Sequence, residues 1–250
     1  NIIDPVYPVN VRGAGTFISD DTDYGAIKIQ AKECYFEFDT AKTTNNTTHT
    51  GNQGGTVDLE PTNTDGGVYW NDYEKGNPFY VKGNIVNTGD LGTYAGALVW
   101  GRQGINAYSL GTFEGSVMQL HPTDTRPAIY IESDSYYYTV NINATVFASG
   151  SEAFLNMGRG DIKLRGTYTT GDADNKYAIN FNDGYHGWYD IDADINGALR
   201  LNCGSVTNTG GILRGRLRTQ GATPDDCAIY IDGGGQHKID NQIFLRAYAA

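Results

Sequence analysis

A short motif, Ala-apolar-variable-apolar, returns along the chain at nearly constant spacing. It reads AIYI from Ala128, AINF from Ala178 and AIYI from Ala228, with earlier copies as AIKI from Ala26 and PFYV from Pro78. Weaker copies lie about halfway between these: TVDL from Thr56, ALVW from Ala97, AFLN from Ala153 and ALRL from Ala198. The repeating unit is therefore about 25 residues long, which predicts a stacked architecture in which neighbouring units complete a common core.

Each unit also carries the alternation of β-strands. Val140, Ile142, Ala144 and Val146 alternate with polar residues, and a period of two is typical of a strand. A second alternating run follows the first in almost every unit: CYFEFD, DIKLRG, WYDIDADI, GILRGRL and KIDNQIFL. A third, shorter piece often comes next, as GTF, ATVF or GTY.

These runs predict an all-β, single-domain, right-handed parallel β-helix of about eight to ten coils, with roughly 25 residues per coil. A β-propeller is the structural alternative. Its blades need about 40–50 residues and antiparallel hairpins with signals such as Asn-Gly, which are sparse in this chain.

Stacking in register makes a specific prediction about the second runs. When these runs are aligned by their apolar positions, the equivalent inward residues of successive coils are Ile142, Leu164, Ile191, Leu213 and Ile239. The small residue two places later then aligns as Ala144, Gly166, Ala193 and Gly215, with Asn241 as the exception, and the next inward position as Val146, Tyr168, Ile195, Leu217 and Ile243. The outward positions align as Asn143, Arg165, Asp192, Arg214 and Asp240, and as Thr145, Thr167, Asp194, Arg216 and Gln242.

The run YDIDADI places Asp190, Asp192 and Asp194 on one face, with successive carboxylates about 6.5–7 Å apart. That spacing suits an inverting glycosidase pair. The favoured interpretation is a charge ladder with Arg165 and Arg214, because cations lower the pKa that a catalytic acid needs raised.

The bend after the first strand of a coil offers a better candidate site for a sugar. Glu132 and Asp183 are the predicted catalytic carboxylates, about 9.6 Å apart because they lie two coils from each other. The predicted substrate-binding residues are Asp134, Tyr136, Tyr137, Arg159, Tyr185, His186 and Trp188, together with Trp70 and Tyr73 of the segment 62–78. Aromatic rings stack on sugar faces while carboxylates bind hydroxyls. The alternative is that these residues serve turn geometry and cover the core.

Composition excludes several other functions. The net charge of −11 argues against nucleic acid, whose binding requires clustered Lys and Arg. The sequence contains no run of eighteen apolar residues, which is the pattern that predicts membrane insertion. Cys34, Cys203 and Cys227 lack the spacing of a metal site, so we expect no metal and no cofactor. The polar stretch 41–56 is predicted to be a long projecting loop.

The coil pattern resembles the right-handed β-helix of the pectate-lyase-like superfamily, and especially phage tailspike and receptor-binding proteins. The stretch VNVRGAGTFISDDTDYGAIKIQA, residues 9–31, is similar to the entry motif of such spikes. The resemblance implies a homotrimer on a virion that binds host surface glycan and in some members cleaves it. The corresponding division of the chain is an entry or attachment segment at 1–19, a β-helix at 20–245 and a tail at 246–250.

The expected function is therefore that of a tailspike-like or receptor-binding protein, on a virion or extracellular, that recognises host surface polysaccharide. Depolymerase activity, as a glycoside hydrolase or polysaccharide lyase, stays open. The alternative is a non-enzymatic structural or adhesin β-helix of a virion or extracellular filament. A free polysaccharide lyase or hydrolase is disfavoured, because a lyase needs a Lys or Arg base and the Lys and Arg of this chain fall mostly in the predicted ladder.

Overall fold

A computed structural model of the chain describes residues 2–3, 9–12, 16–19, 25–31, 34–39, 42–45, 55–61, 79–92, 95–101, 110–132, 139–158, 160–182, 187–202, 210–220, 224, 227–232, 236–239 and 244–248. In chain order its strands are β1 (Ile2–Ile3), β2 (Val9–Arg12), β3 (Thr16–Ser19), β4 (Ile27–Ala31), β5 (Cys34–Asp39), β6 (Lys42–Asn45), β7 (Gly55–Pro61), β8 (Phe79–Asn87), β9 (Gly96–Trp100), β10 (Leu110–Gln119), β11 (Ile129–Ile131), β12 (Thr139–Ala148), β13 (Phe154–Asn156), β14 (Asp161–Thr170), β15 (Tyr177–Phe181), β16 (Trp188–Asn196), β17 (Ala198–Asn202), β18 (Gly210–Gln220), β19 (Ile229–Asp232), β20 (Gln236–Ile239) and β21 (Phe244–Tyr248).

Two large parallel sheets contain nearly all of these strands. The first, here called the short sheet, has the order β1-β4-β7-β9-β11-β13-β15-β17-β19. The second, the long sheet, has the order β2-β5-β8-β10-β12-β14-β16-β18-β20, and β21 also pairs with β18. A small third sheet joins β3 and β6. The chain alternates between the two large sheets, so each coil adds one strand to each and the fold is an all-β parallel β-helix.

The register of the long sheet confirms the predicted ladder. Ile142 pairs with Leu164, Leu164 with Ile191, Ile191 with Leu213, and Leu213 with Ile239. The same row extends toward the N-terminus through Phe113, Val81 and Phe36. Its members from Phe36 to Leu213 are at most 2% exposed, whereas Ile239 in the last described coil is 47% exposed. One continuous apolar core therefore runs along the stack.

The described strands give about nine coils, within the predicted range. Strands inside the first nineteen residues already pair with the following coil, as Val9 does with Phe36. The attachment role of residues 1–19 stays a prediction. Coil length varies, from 22 residues between Ile142 and Leu164 to 45 between Phe36 and Val81.

Three parts of the sequence interpretation were wrong. PFYV does not begin a short-sheet strand, because Phe79–Asn87 is a long-sheet strand that pairs with β5 and β10. The residue paired with Leu217 is Leu245 and not Ile243, and Phe244 takes the place given to Gln242, because the last coil has two more residues between its paired segments than β18 has. The stretch 41–56 is more than a loop, since β6 begins at Lys42 and β7 at Gly55.

The predicted third strand is a separate element in the first coils, where β3 and β6 form the small third sheet, and becomes part of the long strand in the coils of β10, β12 and β14. GTF, ATVF and GTY all lie inside the long strands β10, β12 and β14. The small-residue row crosses these strands at Gly115, Ala144 and Gly166, and Gly166 has a φ of +97°. A side chain is strained at that φ, so glycine lets the long strand change direction without leaving the sheet.

A buried polar network fixes the connections at one end of the long strands. The Asn87 Nδ2 group donates to Gln119 Oε1 at 2.9 Å, and Gln119 Nε2 donates to Asp124 Oδ2 at 2.9 Å. Asp124, 5% exposed, also accepts the backbone N–H groups of Leu91 at 2.6 Å and Arg126 at 2.9 Å. Every bond crosses between turns of neighbouring coils or within one turn, so the network holds these turns in place.

Candidate functional site

In the described coils from β8 onward, two bends connect the two large sheets. The first bend joins a short-sheet strand to the long-sheet strand that follows it, as between Ile131 and Thr139 or between Phe181 and Trp188. The second bend joins the long-sheet strand to the next coil, as between Thr170 and Tyr177. The predicted sugar site belongs to the first bend.

Of the predicted site residues, the structure describes Glu132 and Trp188, which flank the first bend in different coils. The others lie outside the described residues: Trp70, Tyr73, Asp134, Tyr136, Tyr137, Arg159, Asp183, Tyr185 and His186. Their roles stay predictions.

Glu132 is held in line with the ends of the neighbouring short strands. Its backbone N–H donates to Trp100 O at 2.9 Å, and the N–H groups of Met157 and Asn182 donate in the same way to Ile131 and Asn156 at 2.9 and 3.0 Å. Glu132 and Asn182 therefore follow β11 and β15, two strand spacings apart, or about 9.6 Å along the stack. Asp183, the predicted second carboxylate, comes directly after Asn182 in sequence.

A carboxyl binds the backbone of an exposed tryptophan on the far side of the same bend. Asp161 begins β14 and Trp188 begins β16 on the neighbouring strand, and the Trp188 backbone N–H donates to Asp161 Oδ1 at 2.8 Å. The Trp188 residue is 43% exposed. An exposed indole beside a carboxyl can stack on one face of a sugar while the carboxyl binds a hydroxyl.

The sequence interpretation missed Asp161, although a signal was present. The confirmed register aligns Thr139, Asp161 and Trp188 across three coils. Extending the predicted ladder by three residues toward the N-terminus would have placed Asp161 next to the predicted Trp188.

Burial shapes the electrostatics of this bend. It raises the pKa of Asp161 above the usual aspartate value, against the opposing effects of the Trp188 N–H bond and the Lys163 charge. It also raises the pKa of Tyr130 to about 12; the negative charge of Glu132 adds to this effect and Arg126 opposes it. Asp161 is thus the described carboxyl here whose environment favours the protonated form, the form in which a carboxyl can donate a hydrogen bond or a proton.

The three aspartates of YDIDADI do not have that environment. Asp190 accepts Arg165 Nη2 at 2.9 Å on Oδ2 and Arg214 Nη2 on Oδ1. Arg214 Nε lies 3.8 Å from Asp192 Oδ2, and Arg216 Nε lies 3.6 Å from Asp194 Oδ1. These ion pairs confirm the charge-ladder interpretation and leave the glycosidase interpretation of these residues without a suitable acid.

Two further observations concern only the described part of the chain. No group of three or more His, Cys, Asp or Glu residues there is arranged to hold a metal ion. No helix of sufficient length and apolarity to cross a membrane occurs there.

The fold and the bend define a class: a parallel β-helix with an exposed tryptophan and half-buried carboxyl groups at the first bends of its described coils. Comparison with family models, with curated proteins and with solved structures found no match for this chain. The class therefore follows from the geometry alone.

Proposed function

We propose that this chain is a tailspike-like or receptor-binding protein, on a virion or extracellular, that recognises host surface glycan through the first bends of its β-helix. The observation that carries the proposal is the exposed residue Trp188, whose backbone N–H binds the carboxyl of Asp161. Stacking on an aromatic ring, with a polar group beside the ring, is the chemistry by which proteins bind sugars.

The geometry of the stack supports this function. First bends recur about every 4.8 Å along the helix, so residues from several coils line one continuous edge. A polysaccharide is itself a repeating chain, and an edge with repeated carboxylates and amides such as Glu132, Asn182 and Asn202 offers it several hydrogen-bonding partners. Cleavage would be an additional activity, with Glu132 and Asp183 as the proposed carboxylates.

A second candidate function is that of a non-enzymatic structural or adhesin β-helix. The observation that favours it is the outward face of β14, β16 and β18, where Arg165 and Arg214 form ion pairs with Asp190 and Asp192. A surface whose charges are already paired serves the stability of a fibre better than the binding of a charged partner.

Replacing Trp188 tests the proposed function. Binding of the wild-type protein to immobilised capsular and lipopolysaccharide preparations is measured by biolayer interferometry, alongside Trp188→Ala and the control Leu120→Ala. Leu120 is 42% exposed and lies at a second bend, so it matches Trp188 in exposure but not in location. We expect Trp188→Ala to weaken binding about 5- to 150-fold, because loss of one stacking contact costs ~1–3 kcal/mol.

Equal binding by all three proteins would refute the role of Trp188. Absence of binding by the wild type across the panel would favour the structural candidate instead. Release of reducing ends in the same samples, abolished by Glu132→Gln, would add cleavage to recognition.

A further inference from the structure

The second bends of three coils enclose an open depression of about 540 Å³. It lies where β14, β16 and β18 end, and its lining includes Thr170, Asp172, Asp174, Asn196, Gly197 and Arg218. Trp188 and Asn196 are the two ends of β16, so the depression is about 26 Å from the first bend of that coil. Its volume is within the range of small-molecule sites.

The depression exists because neighbouring second bends differ in length. After Thr170 the chain makes a compact turn, in which the Lys176 N–H donates to Asp172 O at 2.9 Å and Asn175 Nδ2 donates to Asp172 Oδ1 at 2.9 Å. In the next coil the bend is the single residue Gly197, between β16 and β17. A Cβ at Gly197 would lie 2.7 Å from Thr170 Cγ2, so a larger residue cannot occupy this corner without displacing its neighbours.

The charges around the depression are unlike those of the adjacent face. Arg165, Arg214 and Arg216 each have an aspartate partner on the neighbouring strand. Arg218 instead pairs in register with Asn196, is exposed, and has no carboxylate within 4 Å among the described residues. Asp172 and Asp174 lie elsewhere in the lining and form no ion pair with it. Within the described part of the chain, the depression therefore combines a guanidinium that has no carboxylate partner with two carboxylates in its lining.

We infer that this depression is a second saccharide site, which takes a sugar unit bearing a carboxylate. The guanidinium of Arg218 can bind a carboxylate with two parallel hydrogen bonds, the geometry for which arginine is suited. Asp172 and Asp174 can accept hydrogen bonds from sugar hydroxyls, and they repel a ligand that carries negative charge on every side. The inference deepens the proposed glycan recognition and depends on it, but it concerns a different surface and a more specific ligand.

The test uses the full chain and two matched probes, methyl galacturonoside, which carries one carboxylate, and methyl galactoside, in which that carboxylate is replaced by a primary alcohol. Each is titrated into isotope-labelled protein while backbone amide signals are followed by NMR. We expect methyl galacturonoside to shift the amides of Gly171, Asp174 and Gly197. Arg218→Gln should weaken this binding at least about tenfold, because a charge-assisted pair is lost, whereas the exposed control Arg216→Gln should not.

Three outcomes would overturn the inference. Equal affinity for the acidic and the neutral probe would exclude carboxylate recognition. Equal effects of Arg218→Gln and Arg216→Gln, or no shift near Gly197, would exclude the depression. Shifts confined to the surroundings of Trp188 would refute this site and leave the proposed function standing, whereas shifts near Gly197 that persist in Trp188→Ala would support this site alone.

Discussion

Glycines opposite large rings decide how the interior of the long sheet is filled. Tyr189, Gly211 and His237 align across three coils. The hydroxyl of Tyr189 lies 2.8 Å from His237 Nδ1, and the two rings stack with centroids 5.9 Å apart. The ring of Tyr189 thus crosses the position of Gly211, which has no side chain to obstruct it.

Gly211→Ala is expected to destabilise the protein by about 1–3 kcal/mol, the usual cost of overpacking. A Cβ at this position would lie 2.0 Å from the Tyr189 carbonyl oxygen and 2.5 Å from its ring. Urea unfolding measures the free energy of unfolding, with Thr145→Ala on the outward side of β12 as the control. A variant as stable as the wild type would mean that the ring can move without cost.

The charge ladder acts at the level of neighbouring strands. Burial alone would raise the pKa of Asp190, but the hydrogen bonds and charges of Arg165 and Arg214 outweigh it, so the pKa is lowered. A lowered pKa in the folded state contributes stability above the pKa of the unfolded chain, about 3.9, and this contribution is lost as the pH falls through the folded value.

Asp190→Asn is therefore expected to lower the free energy of unfolding by about 1 kcal/mol at neutral pH, the scale of a partly exposed ion-pair network. The difference from wild type should shrink as the pH falls below about 4. The measurement is the urea unfolding midpoint of the wild type, of Asp190→Asn and of the exposed control Asp232→Asn, taken from neutral pH to below about pH 4. A difference that does not change with pH would mean that the aspartate acts through packing and not through its charge.

Strand register was predictable wherever the bends left the long strands intact. The row from Ile142 to Leu213 followed from alternation alone, because one misplaced residue would turn the whole apolar set outward. The same reasoning failed at Pro78 and at Ile243, since alternation carries no information about which sheet a run joins or how many residues lie between two paired segments. Asn241, the single exception in the small-residue row, was the signal of the second error.

The candidate site was harder to predict from the sequence than the strand register of the long sheet. Trp188 could be proposed as a sugar-binding residue because it is aromatic, but its contact with Asp161 depends on the pairing of strands from two coils. The depression near Gly197 arises from the difference in length between two bends, which becomes visible only when both coils are stacked.

At the scale of the whole molecule, the proposed spike is expected to be a homotrimer. The mass of the protein in solution should then be three times that of the 27.2 kDa chain. Light scattering coupled to size-exclusion chromatography measures this mass without assumptions about shape, which matters for an elongated solenoid. A monomer over the whole concentration range would count against the spike assignment while leaving glycan binding by a single chain to be judged from Trp188→Ala.

The pairing register of the long sheet stays constant although the coils differ in length. A coil of 45 residues and a coil of 22 residues both keep the in-register strand pairing of the long sheet. Additional residues at a bend therefore leave this pairing unchanged. In the proposed receptor-binding function, the residues of one bend can therefore change the glycan that is recognised while the core of the helix stays the same.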